Sequence, residues 1–305
     1  MSEDEYLACE LREMELMKQR FFIDGLLPEG LSFIAGPPKF GKSYLNLQLA
    51  VSVASGEEFL GRSVLNPCNV LYLYLEGDAA QVKERLDNIY GEAKKLPRGL
   101  VFMHSVPSMS CGGLAVISNR VVKYDIGLVI IDTWQLVRDE APLRGTAYQR
   151  EYNELTSLRA EICGKLGVSV LLTHHTKQLA PGKHVDDLHM LNGSSALSGC
   201  ADAVLMLTGT RGGNRYRLIA HGRSLEDTEI VLERTEPMGW KPAPMEGTEL
   251  QDKLSAILHQ NKGGVTVTDV KAMLPDAKVN SVWQQLNRWT SAGKLVKEGR
   301  VYRLP

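Results

Sequence analysis

The spacing of apolar positions along the chain switches repeatedly between compact runs and helical stripes. Residues 31–35 form a compact apolar run that ends at a glycine, the pattern of a strand buried in a parallel sheet. Over 42–54, Leu45, Leu49 and Val53 recur every fourth residue, which predicts a helix with one apolar stripe. Residues 69–75 read as a second strand, and 79–90 as a second helix with Val82, Leu86 and Ile89 on one face. Further strands are predicted at 100–104, 127–131, 168–173 and 203–207, and helices over 114–123 and 148–166. Strands alternating with helices imply crossover connections, an α/β class and a mostly parallel sheet. Segments 215–220 and 229–233 have no helix between them and predict an antiparallel hairpin. Before the first strand, residues 8–20 carry Leu11, Met14 and Met17 three apart, the spacing of a short helix.

The pattern breaks at 236–247, where three prolines and two glycines predict a linker. Beyond it come predicted helices at 250–259, 266–274 and 279–292, the last with Val282, Leu286 and Trp289 on one face. Residues 295–304 then alternate around Glu298-Gly299, a tight hairpin. Three helices and a hairpin describe a winged helix-turn-helix. The expected organisation is therefore a domain over 1–235 with an N-terminal helical segment at 1–25, a linker at 236–247 and a small domain at 248–305.

Composition narrows the class. Of 305 residues, 44% are hydrophobic and 23% charged, an ordinary globular balance, and the net charge of −1 gives no global basic field. Charge is unevenly spread, however. Residues 248–305 hold nine bases against five acids, a balance of +4, which leaves −5 on the rest. Five scattered cysteines without a CxxC pair argue against a disulfide framework and against zinc. The acidic start, Met1 to Glu5, is unlike a signal peptide, and no run has the length of a membrane helix, so a cytoplasmic protein without membrane contact is expected.

The sharpest chemistry is Gly36-Pro37-Pro38-Lys39-Phe40-Gly41-Lys42-Ser43, which fits GxxxxGK followed by Ser or Thr, between a predicted strand and a predicted helix. A triphosphate needs several donors converging without side chains in the way. Gly36 and Gly41 let the backbone wrap closely, and the amides from Lys39 to Tyr44 point at the phosphates. The helix start adds its positive end. Lys42 neutralises the β and γ phosphates of ATP, and the Ser43 hydroxyl holds Mg²⁺. Asp132 ends the apolar strand 128–131, the position of a carboxylate beside the Mg²⁺ water shell. Glu76 follows another strand and is placed to take a proton from an attacking water, while Asp78 suits a helix cap. The pair His174-His175 arrives at the same edge; successive strand residues point oppositely, so one of the two faces the γ-phosphate. A long loop, 178–192, follows, with Lys183 and His184. Arg223, on a turn between the last two strands, is a candidate for reaching a neighbour's γ-phosphate, with Arg215 and Arg217 as competitors. In the tail, Asn280, Gln284, Gln285, Asn287 and Arg288 avoid the apolar stripe and suit base edges. Lys297, Arg300 and Arg303 on the wing suit phosphates. A protein-docking winged helix is the other reading of that tail.

The ordered set GPPKFGKS, LYLYLEGD, VIIDTW, THHTK, GSSAL with ADAVLML, and LIAHGRS resembles the RecA-type core of RepA-like and DnaB-like hexameric replicative helicases, the AAA_25 group, over about residues 20–235. The resemblance implies a homo-oligomeric ring, usually a hexamer, with ATP at subunit interfaces and single-stranded DNA in the channel. It implies Lys42 and Ser43 in the phosphate loop, Glu76 as catalytic glutamate, Asp132 as the second Mg²⁺ residue, His174 as γ-phosphate sensor and Arg223 as a finger acting in trans. Lys177 and Lys183 are candidate contacts to DNA. Asn192 and His221 depart from the pattern, standing where such proteins often carry Arg and Lys. The expected activity is ATP-driven DNA unwinding or translocation for a plasmid, phage or other mobile element. The alternatives are a RecA-like ATPase that does not unwind and an ATP-switched DNA-binding regulator.

Overall fold

The computed structural model describes residues 19–138, 146–176, 199–209, 213, 215–243, 248–261, 263–277, 279–291 and 295–304, with Leu7, Cys9, Arg12 and Met14. The helix expected at 8–20, the loop at 178–192 and Asn192 lie almost wholly outside these residues. The chain divides into two compact units, Met1–Pro242 and Ala243–Pro305.

The first unit opens with a small hairpin, β1 (Phe21–Ile23) and β2 (Leu27–Pro28), too short to leave a periodic signal in the sequence. Its body is a nine-stranded sheet. The strands are β3 (Leu31–Gly36), β4 (Asn69–Tyr74), β5 (Leu100–Met103), β6 (Ile126–Asp132), β7 (Ser169–His175), β8 (Ala203–Gly209), β9 (Arg215–Gly222), β10 (Leu225–Thr235) and β11 (Gly239–Pro242). Their order across the sheet is β11-β10-β9-β8-β3-β7-β6-β4-β5. From β8 to β5 neighbours run parallel; β9, β10 and β11 continue the sheet antiparallel. Every residue of β3 is buried, which is why the sequence shows a run there and no alternation.

Helices cover both faces. On one lie α1 (Lys42–Ser55) and α2 (Ala79–Tyr90), sealing Ile34, Tyr72, Ile130 and Leu171 beneath Leu45, Leu49, Val82 and Leu86. On the other lie α3 (Leu114–Tyr124) and α4 (Ala147–Leu158), sealing Phe33, Leu73, Ile131 and Leu172 beneath Ile117, Val121 and Leu155. Asp78 caps α2 by accepting from the Gln81 amide at 2.9 Å, and Thr146 with Gln149 forms a capping box at the start of α4. Asp202 fastens the entry of β3: its carboxylate accepts from the Leu31 amide at 2.8 Å and from Arg159 at 2.9 Å.

One boundary differs from expectation. Residues 236–247 do not form a continuous linker. Glu236 to Met238 make a turn, and Gly239–Pro242 return as β11 beside β10, from Thr235↔Gly239 to Leu232↔Pro242. Proline and glycine marked the turn correctly but hid the strand, because an edge strand tolerates proline where a central one does not.

The second unit holds α5 (Thr248–Gln260), α6 (Val267–Met273), α7 (Val279–Ser291) and the hairpin β12 (Val296–Glu298) and β13 (Val301–Arg303), which turns through Gly299 at φ 62°. Its own core is Leu254, Leu258, Val270, Val282, Leu286, Leu295 and Tyr302.

Among the described residues, Arg138 ties the segment after β6 to α4: it meets Glu154 at 2.6 Å and Glu151 at 3.2 Å, and both carboxylates are nearly buried. Arg138→Met strips the cation from two buried acids and is expected to cost about 3 kcal/mol in urea unfolding, the range for breaking a buried pair. A loss under about 1 kcal/mol would mean the pair behaves as a surface bridge.

Candidate active site

The site is built at the carboxyl ends of the central strands, where an open α/β sheet leaves a crevice. β3 ends at Gly36, the chain turns through residues 37–41, and α1 begins at Lys42. Two glycines are required by space. A Cβ on Gly36 would stand 2.6 Å from the Leu207 carbonyl, and one on Gly41 would stand 2.8 Å from the Trp240 ring. Gly41 has φ 89° and Lys39 has φ 65°, both left-handed, so the loop winds into a concavity of amides before the helix start.

Lys42 is only 4% exposed. Its ammonium donates to the carbonyls of Gly36 at 2.8 Å and Pro37 at 3.0 Å and lies 3.1 Å from His175 Nδ1. Burial lowers its pKa from 10.5 to about 8, against the opposing pull of Asp132 and Glu76. The ammonium is thus held at the inner wall of the loop, in reach of an anion seated there.

Asp132 ends β6 beside Tyr74 of β4 and is 1% exposed. One carboxylate oxygen accepts from the Tyr72 hydroxyl at 2.8 Å; the other is buried and has no hydrogen-bond partner. A buried, half-satisfied carboxylate costs on the order of 1–3 kcal/mol or more, and a hydrated divalent cation is the natural donor for it. Among the described residues no three His, Cys, Asp or Glu cluster as a metal cage. Mg²⁺ fits such a sparse site, since it keeps most of its waters and takes one or two protein oxygens plus phosphates. Ser43 and Asp132 are the residues that would hold it.

The histidine pair resolves against the sequence expectation for His174. In the register of β7 on β3, His174 lies opposite Ala35 and His175 opposite Gly36. His174 turns to the α4 face, 3.9 Å from Glu151, where burial lowers its pKa and keeps it neutral. His175 takes the loop side: Nδ1 meets Lys42, and Nε2 is 3.4 Å from Glu76 Oε1. Period-two alternation could say that the two diverge but not which side faces α1. Glu76 is therefore joined to Lys42 through one imidazole. The same face carries Thr173, which accepts from Asn46 of α1 at 2.7 Å. Tyr44 lies under the Arg85 guanidinium, 5.0 Å from the ring centroid.

Arg223 lies elsewhere on the unit. Gly222 is level with Ala203, and Ala203 with Ser32, near the start of β3. The phosphate loop begins four residues further along, about 13 Å at strand rise. Arg223 donates to the Gly199 carbonyl at 2.7 Å, and its amide donates to Asp202 O at 3.1 Å. Its competitors face glutamates of β10: Arg217 with Glu229 at 3.7 Å and Arg215 with Glu233 at 4.0 Å. His221 meets Asp227 at 2.6 Å.

Among the DNA-contact candidates, Lys177 and Lys183 and the side chains of Gln284 and Arg288 lie outside the described residues. In the second unit Lys297 sits over the Tyr302 ring and 3.4 Å from Asn287 Oδ1, Arg300 is exposed, and Arg303 pairs with Glu298. Gln285, expected on the polar face of its helix, is buried, and Trp283 is exposed instead. Two site residues were missed from sequence. Tyr72 alternates with Tyr74 in LYLYL, and parity with Asp132 would have flagged it; Trp240 was hidden in the supposed linker.

A glycine-framed loop between the central strand and its helix, a buried lysine and an acid two strands away define a RecA-like P-loop NTPase. The sequence model of the AAA domain family AAA_25 matches residues 9–180, more than half of the 305 residues, and the chain belongs to that family of ATPases. Among solved structures, the ATPase domain of a DnaB-like helicase is similar at a TM-score of 0.56 and 15% identity, covering 77% of this chain and 89% of that one, a likeness of fold. No curated protein sequence matches. Among the described residues no helix is long and apolar enough to cross a membrane.

The lowered pKa of Lys42 has opposite consequences for binding and stability. The charged form binds phosphate, so ATP affinity is expected to fall about tenfold between pH 7 and 9 as Lys42 passes its pKa of about 8. The unfolded chain binds that proton more tightly, so Lys42 makes the protein alone more stable as pH rises through the same window. Calorimetric titration with ATP at several pH values checks this; a flat affinity would show that Lys42 is not the phosphate's partner.

Proposed function

We propose that this chain is an ATP-driven DNA helicase or translocase, RepA-like, acting in the cytoplasm in replication of a plasmid, phage or other mobile element. It works as a homo-oligomeric ring, a hexamer, on single-stranded DNA, with duplex contacts through the tail.

The observation that carries this reading is the separation of Arg223 from its own loop. Arg223 stands near the start of β3, and the loop follows the end of that strand. An arginine so placed serves the γ-phosphate of the next subunit when copies are arranged head to tail. Within one subunit, Gly36, Gly41 and the amides from Lys39 to Tyr44 cradle the phosphates and Lys42 neutralises them. Ser43 and Asp132 hold Mg²⁺, which supplies charge neutralisation between the β and γ oxygens. Glu76 takes the proton of the attacking water. His175, touching both Glu76 and Lys42, couples the state of the γ-phosphate to the strand that leads into Lys177 and Lys183. The second unit, three helices and a hairpin with a balance of +4, acts as a winged helix whose Gln284, Arg288, Lys297 and Arg300 approach DNA.

Lys42→Ala is expected to abolish hydrolysis. Arg223→Ala is expected to bind ATP with nearly unchanged affinity but to lose on the order of 10³ in turnover, the scale of an arginine finger. Mixing the two variants should restore activity at interfaces that join an intact loop to an intact Arg223; no rescue at any ratio would rule out action in trans. Unwinding of a forked duplex by the wild type separates this function from a RecA-like ATPase that does not unwind.

A further inference from the structure

The phosphate loop is braced from the edge of the sheet by a residue outside its motif. Trp240 of β11 is almost fully buried. Its indole N–H donates to the Gly41 carbonyl at 3.0 Å. That carbonyl already accepts from the Leu45 amide at 3.1 Å, as the first helical bond of α1. The indole bond is therefore a surplus one, which fixes geometry without rescuing an orphaned group. The ring also fills the space beside Gly41: a Cβ there would fall 2.8 Å from Cζ2. Gly41, at φ 89°, is the hinge between loop and helix, and a glycine left unbraced samples both signs of φ.

Trp240 is itself held on every side. Its amide donates to Gln48 Oε1 at 2.8 Å, and its carbonyl accepts from Gln48 Nε2 at 2.9 Å, so one glutamine of α1 pairs with β11 as a further strand would. Tyr216 meets the indole edge-on at 5.0 Å and meets Phe40, inside the loop, at 5.8 Å. The Arg234 guanidinium covers both Tyr216 and Trp240, at 4.8 and 5.4 Å. Two consecutive loop residues, Phe40 and Gly41, thus rest on one aromatic cluster contributed by β9, β10 and β11.

We infer that Trp240 is a positioning residue for nucleotide binding: it locks the loop in the wound form that presents its amides, without touching the nucleotide. The inference rests on the reading of Gly36–Ser43 as the phosphate loop. Preorganisation of this kind acts on affinity, because an unbraced loop must be ordered by the ligand.

The test uses the full chain with Trp240→Phe, which keeps the ring and removes the donor, and Gln48→Ala, which loosens β11 without altering the loop or the indole. Losing one neutral hydrogen bond is worth about three- to tenfold in affinity. Both variants are expected to raise the Kd and KM for Mg-ATP by that factor while kcat stays within about twofold. The change in tryptophan emission that accompanies ATP addition in the wild type is expected to shrink in Trp240→Phe. If Trp240→Phe does not fold, by urea unfolding, Gln48→Ala decides. Variants that bind Mg-ATP with the wild-type Kd overturn the inference, as does a loss confined to kcat. A wild type that fails to bind Mg-ATP at all would instead overturn the reading of the loop.

Discussion

A buried ammonium keeps its charge only where other groups replace the water it has lost. Lys42 meets this constraint with two carbonyls of its own loop, an imidazole nitrogen and the fields of Asp132 and Glu76. Burial still prevails, and the pKa falls to about 8. Each of these partners comes from a different element: the end of β3, the end of β7, the end of β6 and the residues after β4. They converge because parallel strands deliver their carboxyl ends to one edge, and because the register sets Gly36 beside His175 and Tyr74 beside Asp132. The sheet is in this sense a device for placing one cation among acceptors.

The same sheet separates what a subunit can do alone from what needs a neighbour. Lys42, Glu76, Asp132 and His175 gather at one edge, and Arg223 stands near the other, beside the Asp202 latch on β3. Antiparallel β9 and β10 make this possible, since a hairpin returns the chain to the edge that a parallel strand leaves. The turn holding Arg223 is stiffened by His221 with Asp227 and by the bond to Gly199. An arginine kept rigid and far from its own loop has a physical use once copies of the chain are stacked head to tail.

Much of this was legible in the sequence, and the parts that were not have clear reasons. The central strands announced themselves because burial on both faces makes an apolar run, and α1 because its stripe follows a glycine that only a tight turn requires. Lys42, Asp132 and Glu76 could be placed because motif spacing and strand ends fix position along the chain. What spacing cannot fix is the face a side chain takes in three dimensions. His174 and His175 are adjacent and chemically identical, and only the register against β3 turns His175 toward Lys42. Gln285 looked polar and available but is buried on α7. Trp240 lay among prolines and glycines, and its value depends on a glutamine 192 residues away, which no local pattern encodes.

The central claim is that the loop seats a nucleotide's terminal phosphates while the unpaired oxygen of Asp132 faces the metal that accompanies them. Calorimetric binding of ATP with and without Mg²⁺, to the wild type and to Asp132→Asn, tests this most directly. The account expects Mg²⁺ to tighten binding to the wild type, and expects Asp132→Asn to bind metal-free ATP as the wild type does but to lose that gain. Equal tightening by Mg²⁺ in both proteins would contradict it.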